Sequence, residues 1–374
     1  MSELALDTQL EAISPARLAW IRFKRHRLAM VSGGFLIFIY LTAAFCEFVT
    51  PYGTDTRNVQ AINAPPMTIR FQIFDDKGDF HLQPFVYGYD MHVNEDTWMR
   101  EYSENPEKMY PIYFFSSGEH YQLWNLFETD LHLFTAGEEG YIHLFGTDQL
   151  GRDLFSRVFY GARVSLSIGV VGVLLTLFLG VLLGGLAGYI GGLVDRAVQR
   201  LIEVLQSLPT LPLWMALSAA LPVAWSPIGV YFGITLILSL FGWPALARQV
   251  RGKFLALREE DFVMSARLLG ASKMRVIFKH MLPSFNSHLI ATATLAVPGM
   301  ILGETALSFL GIGLRPPVVS WGVLMQQAQN YQVIVLTPWL LIPGLFVVLS
   351  VMAFNLLGDG LRDAVDPYST GGQS

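Results

Sequence analysis

Five stretches of this 374-residue chain carry no charged side chain, and their lengths restrict the solvent in which it can fold. Leu28–Cys46 is 19 residues, Val164–Val194 is 31, Val204–Ala247 is 44, His280–Gly303 is 24 and Pro316–Gly358 is 43. A bilayer core about 30 Å thick is crossed by about 20 helical residues. The 44-residue run therefore fits two spans, broken near Pro222 to Pro227. The last run fits one, roughly Val333–Leu357, after a loop around Pro316, Pro317 and Trp321. Six transmembrane helices result. Composition agrees: 15% of residues are charged, where a soluble chain carries about 25%. The net charge of −5 gives no reason to expect a nucleic-acid partner, and the lone Cys46 excludes an intrachain disulfide.

The first run is longer than the h-region of a cleaved signal, about 7–15 residues. It ends in Phe45-Cys46-Glu47-Phe48 and reads as a retained anchor. Lys and Arg in the connecting segments set orientation. With six spans, three basic segments fall on one side together with the C-terminus. They are the N-terminal tail (Arg17, Arg22, Lys24, Arg25, Arg27), the loop after span two (Arg196, Arg200) and the stretch from Arg248 to Lys279. That side is expected to be the cytoplasm. Residues 50–163 take the opposite side, with 17 acidic and 8 basic residues.

The expected organisation is a cytoplasmic tail (1–27), a first transmembrane helix (28–49), an extracytoplasmic insert (50–163), a five-helix core (164–368) and a short tail (369–374). Ser14 suits a helix N-cap and Pro15 the first helical position. Leu18, Trp20 and Ile21 then suit an interfacial helix whose arginines stay in water; the alternative is a topology signal alone. The insert holds Trp98, Tyr102, Tyr110, Tyr113, Phe114, Phe115 and Trp124. Thr68–Phe74 and Phe80–Tyr89 read as strands joined by Asp75-Asp76-Lys77-Gly78-Asp79, so a small α+β fold is expected there. Its carboxylates read as a solvated acidic face, because nothing in the sequence brings two of them together for hydrolytic chemistry.

No phosphate loop, His-Glu-x-x-His, Cys-x-x-Cys or Gly-x-Ser-x-Gly occurs, so no catalytic residue and no metal site is assigned. Intramembrane ionisable residues, the mark of an ion relay, are almost missing; Glu47 and Glu304 lie near span ends. A stand-alone channel, a secondary transporter and a membrane enzyme are disfavoured on these grounds. Gly180, Gly184 and Gly188 recur at a spacing that lets helices approach closely. Pro209 and Pro212 mark either the entrance of span three or a kink in it.

The cytoplasmic segment Leu257–Pro283 is long enough for two short helices. Asp261–Leu269 reads as one, closed by Gly270, since glycine is the usual residue where a chain turns sharply after a helix. Ala271–His280 reads as the second, with Ser272 as its N-cap, and Pro283 leads into span five. Val276, Ile277 and Met281 form an apolar face flanked by Lys273, Arg275 and Lys279. An exposed helix pair in a chain with no ATP site reads as a docking element.

Gly270, Ile277, His280, Leu282 and Pro283 match the pattern Gly-x6-Ile-x2-His-x-Leu-Pro, with Ala266 four residues before the glycine. Here the chain resembles the integral-membrane subunits of binding-protein-dependent ABC importers. It departs from them at the usual Glu-Ala-Ala, which is Met264-Ser265-Ala266. His143–Asp153, Gly188–Gly192, Glu304–Gly311, Ser320-Trp321-Gly322 and Asn355–Pro367 resemble the C-type permeases of the dipeptide and oligopeptide branch.

The resemblance implies an all-α polytopic membrane protein with the type I ABC importer permease fold, plus the insert. It implies that Ala266, Arg267, Leu269, Gly270, Ala271, Lys273, Val276, Ile277, His280 and Pro283 couple to the ATPase. Ser308 and Trp321 become candidate pathway or gate residues, and Glu304 either such a residue or a structural carboxylate. The implied partners are a homologous permease, two ATP-binding cassette ATPases that use ATP and Mg, an extracytoplasmic solute-binding protein and a peptide substrate. No cofactor is expected on this chain itself. The implied location is a bacterial inner membrane with both termini in the cytoplasm. The same branch is similar to importers of nickel chelates, glutathione and some oligosaccharides, which leaves the substrate open. Residues 51–142 exceed the family's usual loop, and nothing carries over onto them; their position and aromatic content suit part of the receptor dock or a lid over the pathway, and the alternative is a passive domain.

Overall fold

The computed structural model describes residues 15–74, 80–96, 98, 100–137, 140–222 and 224–365. Ser14, the turn Asp75–Asp79, Asp366-Pro367 and the tail 369–374 lie outside the described residues. Helices α1 (Pro15–Arg25), α2 (Arg27–Ala44) and the single turn α3 (Cys46–Val49) open the chain. Strands β1 (Arg70–Phe74), β2 (Phe80–Val93), β3 (Arg100–Pro111), β4 (Tyr113–Leu123) and β5 (Phe127–Thr135) follow. Then come α4 (Leu154–Ile190), α5 (Gly192–Ser207), α6 (Thr210–Ala219), α7 (Pro227–Leu257) and α8 (Asp261–Leu268). Helix α9 (Lys273–Arg275) runs through a π turn, Val276–Met281, and a 3-10 turn, Leu282–Phe285, into α10 (Asn286–Phe309). Helices α11 (Trp321–Met325), α12 (Tyr331–Leu336) and α13 (Ile342–Val365) complete it.

Five helical stretches are long and apolar enough to cross a membrane: Arg27–Ala44, Leu154–Ile190, Pro227–Leu257, Lys273–Phe309 and Pro338–Val365. A sixth results if α5 and α6, which meet at 87°, count as one. The break falls at Pro209, which agrees with the kink, one of the two readings of that proline in the sequence. Pro209 cannot continue α5, and it pushes Leu208 into an extended conformation with ψ 140. Upstream of that break, Asp195, Arg196, Arg200 and Glu203 lie on a helix rather than on a loop. Span two starts at Leu154, ahead of the charge-free run. Its two arginines are paired, Arg157 with Asp148 and Arg163 with Glu47, so the helix passes through them. The last span starts at Pro338 rather than Val333, because Thr337 (φ −134, ψ 63) breaks the helix before it.

The chain divides into two compact units. The first comprises Met1–Ile37, Ser167–Glu304 and Val348–Ser374. Its main core joins Val181, Leu246, Val250 and Phe254 to Val263, Ile277, Met281 and Phe285. The α4 glycines seat that helix on α7. A methyl group on Gly180 would lie 2.7 Å from Leu246 Cδ2, and one on Gly188 would lie 2.7 Å from Phe254 Cβ. On Gly184 it would strike the Ala247 carbonyl oxygen. Backbones this close leave no room for a side chain, which is what small residues at four-residue spacing permit.

The second unit comprises Phe38–Leu166 and Thr305–Val347. β1, β2 and β3 form one antiparallel sheet, with Arg70 opposite Phe85 and Val86 opposite Tyr110; β4 and β5 form another. The expected hairpin is therefore present, with three further strands. The helical part expected in the insert reduces to one 3-10 turn, Val59–Ala61, among the described residues. Met67, Val86, Ile112, Phe134, Ala136 and Ile142 make the core beneath the sheets.

The segment His143–Asp153 ties the insert to α4 within this unit. Asp148 accepts hydrogen bonds from the backbones of Leu150 (2.9 Å) and Arg152 (3.0 Å), from Arg152 Nε (2.9 Å) and from Arg157. Asp153 caps α4 by accepting from the Ser156 N–H at 2.7 Å. The indole of Trp339 donates to the Thr147 carbonyl at 2.9 Å.

Candidate functional site

The helix pair of the first unit is closed by backbone geometry. Gly270 has φ +78, and its N–H donates to the Arg267 carbonyl at 3.0 Å. The next N–H, that of Ala271, reaches back to the Ala266 carbonyl at 3.1 Å. These two bonds form a Schellman ending, which satisfies the last carbonyls of α8 and requires a left-handed residue. No atom lies within 4 Å of a methyl group built on Gly270, so glycine is there for its conformation and not for space. Ser272 then starts the second helix, its hydroxyl accepting from the Arg275 N–H at 3.4 Å.

The apolar residues of the pair divide into two sets. Val263, Ala266, Val276, Ile277 and Met281 are buried in the main core. Each large one contributes roughly 1.5–3 kcal/mol by burial, which holds the pair against α4 and α7. The other set faces outward. Leu268 is 89% and Leu269 88% exposed, and Phe262, Met264, Met274 and Phe278 are also exposed. Arg267 lies over the Tyr189 ring at 5.9 Å, and Asp195 on α5 pairs with Arg251 on α7 at 2.5 Å.

Sequence reasoning had grouped the two sets together. Of its candidates, Arg267, Leu269, Gly270, Lys273 and Pro283 are exposed, and Ala271 and His280 are half-buried. Ala266, Val276 and Ile277 are buried supports. Leu268, Met274 and Phe278 were missed as surface residues. A 3.6-residue reading of Val276, Ile277 and Met281 finds the buried face and leaves its opposite, Met274 and Phe278, as the signal that was available.

Glu304, Ser308 and Trp321 are all fully buried. The Ser308 hydroxyl accepts from the Leu314 N–H at 3.0 Å. The Trp321 indole donates to the Val158 carbonyl at 3.0 Å, and its backbone N–H donates to the Ser165 hydroxyl at 3.1 Å. An open groove of about 770 Å³ occurs elsewhere, in the first unit, between α4, α7 and α10. Gly242, Ala245, Gly252 and Ala291 keep it wide, and Arg248, Lys253 and Arg362 make it basic. In the sequence, Arg248 and Lys253 had registered as orientation signals alone.

The long apolar helices define a polytopic membrane protein, and comparison with known proteins gives its family. Residues 180–369 match the binding-protein-dependent transport system inner membrane component family, and the chain belongs to that family. Residues 14–66 match the N-terminal TM domain of oligopeptide transport permease C. The chain is similar to the oligopeptide transport system permease protein OppC of Bacillus subtilis. The identity is 38% over 226 residues, covering 60% of this chain and 72% of the relative. It is 41% identical over 228 residues to the dipeptide transport system permease protein DppC of the same organism, covering 60% and 68%. It is a multi-pass inner-membrane protein.

Proposed function

We propose that this chain is the permease subunit of an ATP-driven peptide importer. The observation that carries the proposal is the Schellman-closed helix pair with Leu268 and Leu269 almost wholly exposed at its tip. Two leucines held in water on a rigid turn suit a hydrophobic groove on another protein. The relatives bear the names of oligopeptide and dipeptide permeases, which supports peptides as the cargo.

In this reading the chain has six spans, with α5 and α6 as a bent third, and both termini in the cytoplasm. It pairs with a homologous permease, and the small-residue groove beside α7 is its share of the pathway. Two ATPase subunits bind ATP and Mg, and their closure moves the segment Ala266–Ile277. A packed joint has discrete arrangements, so that movement switches the pathway rather than straining it. A solute-binding protein delivers peptide to the side that bears the insert.

Mild solubilisation of tagged protein, followed by mass spectrometry, tests this. Wild type is expected to bring down a second permease and ATPase subunits. The double variant Leu268→Asp, Leu269→Asp is expected to keep the permease and lose the ATPases. Wild type purifying alone, or a double variant that retains its ATPases, overturns the proposal.

A further inference from the structure

We propose that the tip of the β4–β5 hairpin is a membrane anchor, seated at the headgroup level of the leaflet on the insert's side. The tip is a three-residue loop, 124–126, in which Trp124 (φ 53) and Asn125 (φ 59) are both left-handed. That conformation is rare for a bulky residue. It turns the Trp124 indole onto the end of the first membrane helix. Its Nε1–H donates to the Ala44 carbonyl at 2.7 Å, and its ring lies 5.2 Å from that of Phe45.

The level of that contact in the bilayer follows from α2. This helix of 18 residues, charged only at Arg27, is about 27 Å long and ends at Ala44. One turn later stand Glu47 and Arg163, paired at 2.6 and 2.5 Å. Arg163 also donates to the Ala43 and Ala44 carbonyls. The last carbonyls of the span and the first ion pair outside it therefore share a level with the Trp124 indole. An amphipathic ring at that level belongs to the aromatic belt of a membrane protein.

The hairpin descends towards this level. Further up, His132 Nδ1 lies 2.5 Å from the Thr50 carbonyl, so the strands run beside α3 and their tip reaches back to the span. Three apolar side chains crowd the tip. Leu126 is 73% and Phe127 62% exposed, and Trp124 keeps its outer face free. Glu128 bonds to Gln122 across the strands at 3.1 Å, on the face opposite Phe127, as strand alternation requires. That carboxylate fits an interfacial depth and excludes one in the hydrocarbon centre. A lipid surface is the occupant continuous with the span the tip already touches.

The test uses the full chain with its co-purifying subunits, in vesicles of phosphatidylethanolamine and phosphatidylglycerol and without any solute-binding protein. Leu126→Cys and, separately, Phe127→Cys carry a nitroxide; Cys46 is buried and stays unlabelled. Glu107→Cys, on an exposed part of β3, calibrates the aqueous signal. Both tip labels are expected to collide with oxygen several-fold more, relative to a water-soluble nickel complex, than the label at 107. A tip label with the aqueous ratio would show a free surface awaiting a protein, and one shielded from both reagents would show a protein already covering it. Either result overturns the proposal.

Discussion

Asp148 shows how one side chain can set the acid limit of this protein. Burial alone would raise its pKa. The Arg157 charge and the hydrogen bonds and charge of Arg152 outweigh burial and hold the carboxyl below its usual range. A group held low in this way adds stability above its unfolded value of about 3.9, and that stability is lost as pH falls towards the folded value. Thermal inactivation of the solubilised protein should therefore accelerate below about pH 4. Asp148→Asn leaves Arg157 buried and unpaired, which costs about 3–5 kcal/mol. It should lower the apparent Tm at neutral pH and flatten the acid limb; an unchanged melt at both pH values counts against this role. The sequence shows Asp148 as part of a recognisable run. The reason for it appears once Arg152 and Arg157 close around it.

Among the elements, the contact between α4 and α7 is a close joint, and its cause is compositional. Gly184→Leu drives a side chain into the Ala247 carbonyl. Overpacking of this kind costs about 1–3 kcal/mol, and fluorescence melts in detergent should show it. Gly252→Ala meets nothing within 4 Å and should leave the melt unchanged or raise it. Equal effects of the two would mean that the glycines act through helix propensity and not through contact. The glycine stripe, the first span and the Gly270 ending were legible because each rests on local rules. The kink at Pro209 was one of two readings, whereas helix α5 before it was not legible. Charges on α5 look like a loop to any reading that counts charge-free runs, although the helix simply turns them to one side. β3 escaped for a related reason. Glu101, Glu104, Glu107 and Lys108 mask its pattern, and its pairing with β2 is fixed by the partner strand.

For the whole molecule, the distribution of charge predicts orientation. The bias of Lys and Arg leads us to propose a cytoplasmic location for the basic segments and an extracytoplasmic one for the acidic insert. A cysteine replacing Glu107 should react with an impermeant maleimide in intact cells. One replacing Met274 should react only after permeabilisation. Reversed labelling would invert the topology and remove the coupling proposal with it. Cys46 is buried and keeps the background silent. Membership in the transport family could be read from a few motifs, whereas the groove lined by Arg248, Lys253 and Arg362 needed three dimensions. Its residues come from helices far apart in the chain.

The second helix of the pair continues through a π turn and a 3-10 turn into α10, so that Lys273–Phe309 is one helical stretch of 37 residues. At 1.5 Å per residue it is about 55 Å long. A load applied at Met274 is carried along its axis, because the backbone bonds of a helix are stiff in that direction. Compliance concentrates at the π turn Val276–Met281, where the wider winding makes axial bonds poorer. In the proposed importer the chain would therefore transmit a stroke that it does not generate, and the fidelity of transmission would depend on six residues at the loaded end of that stretch.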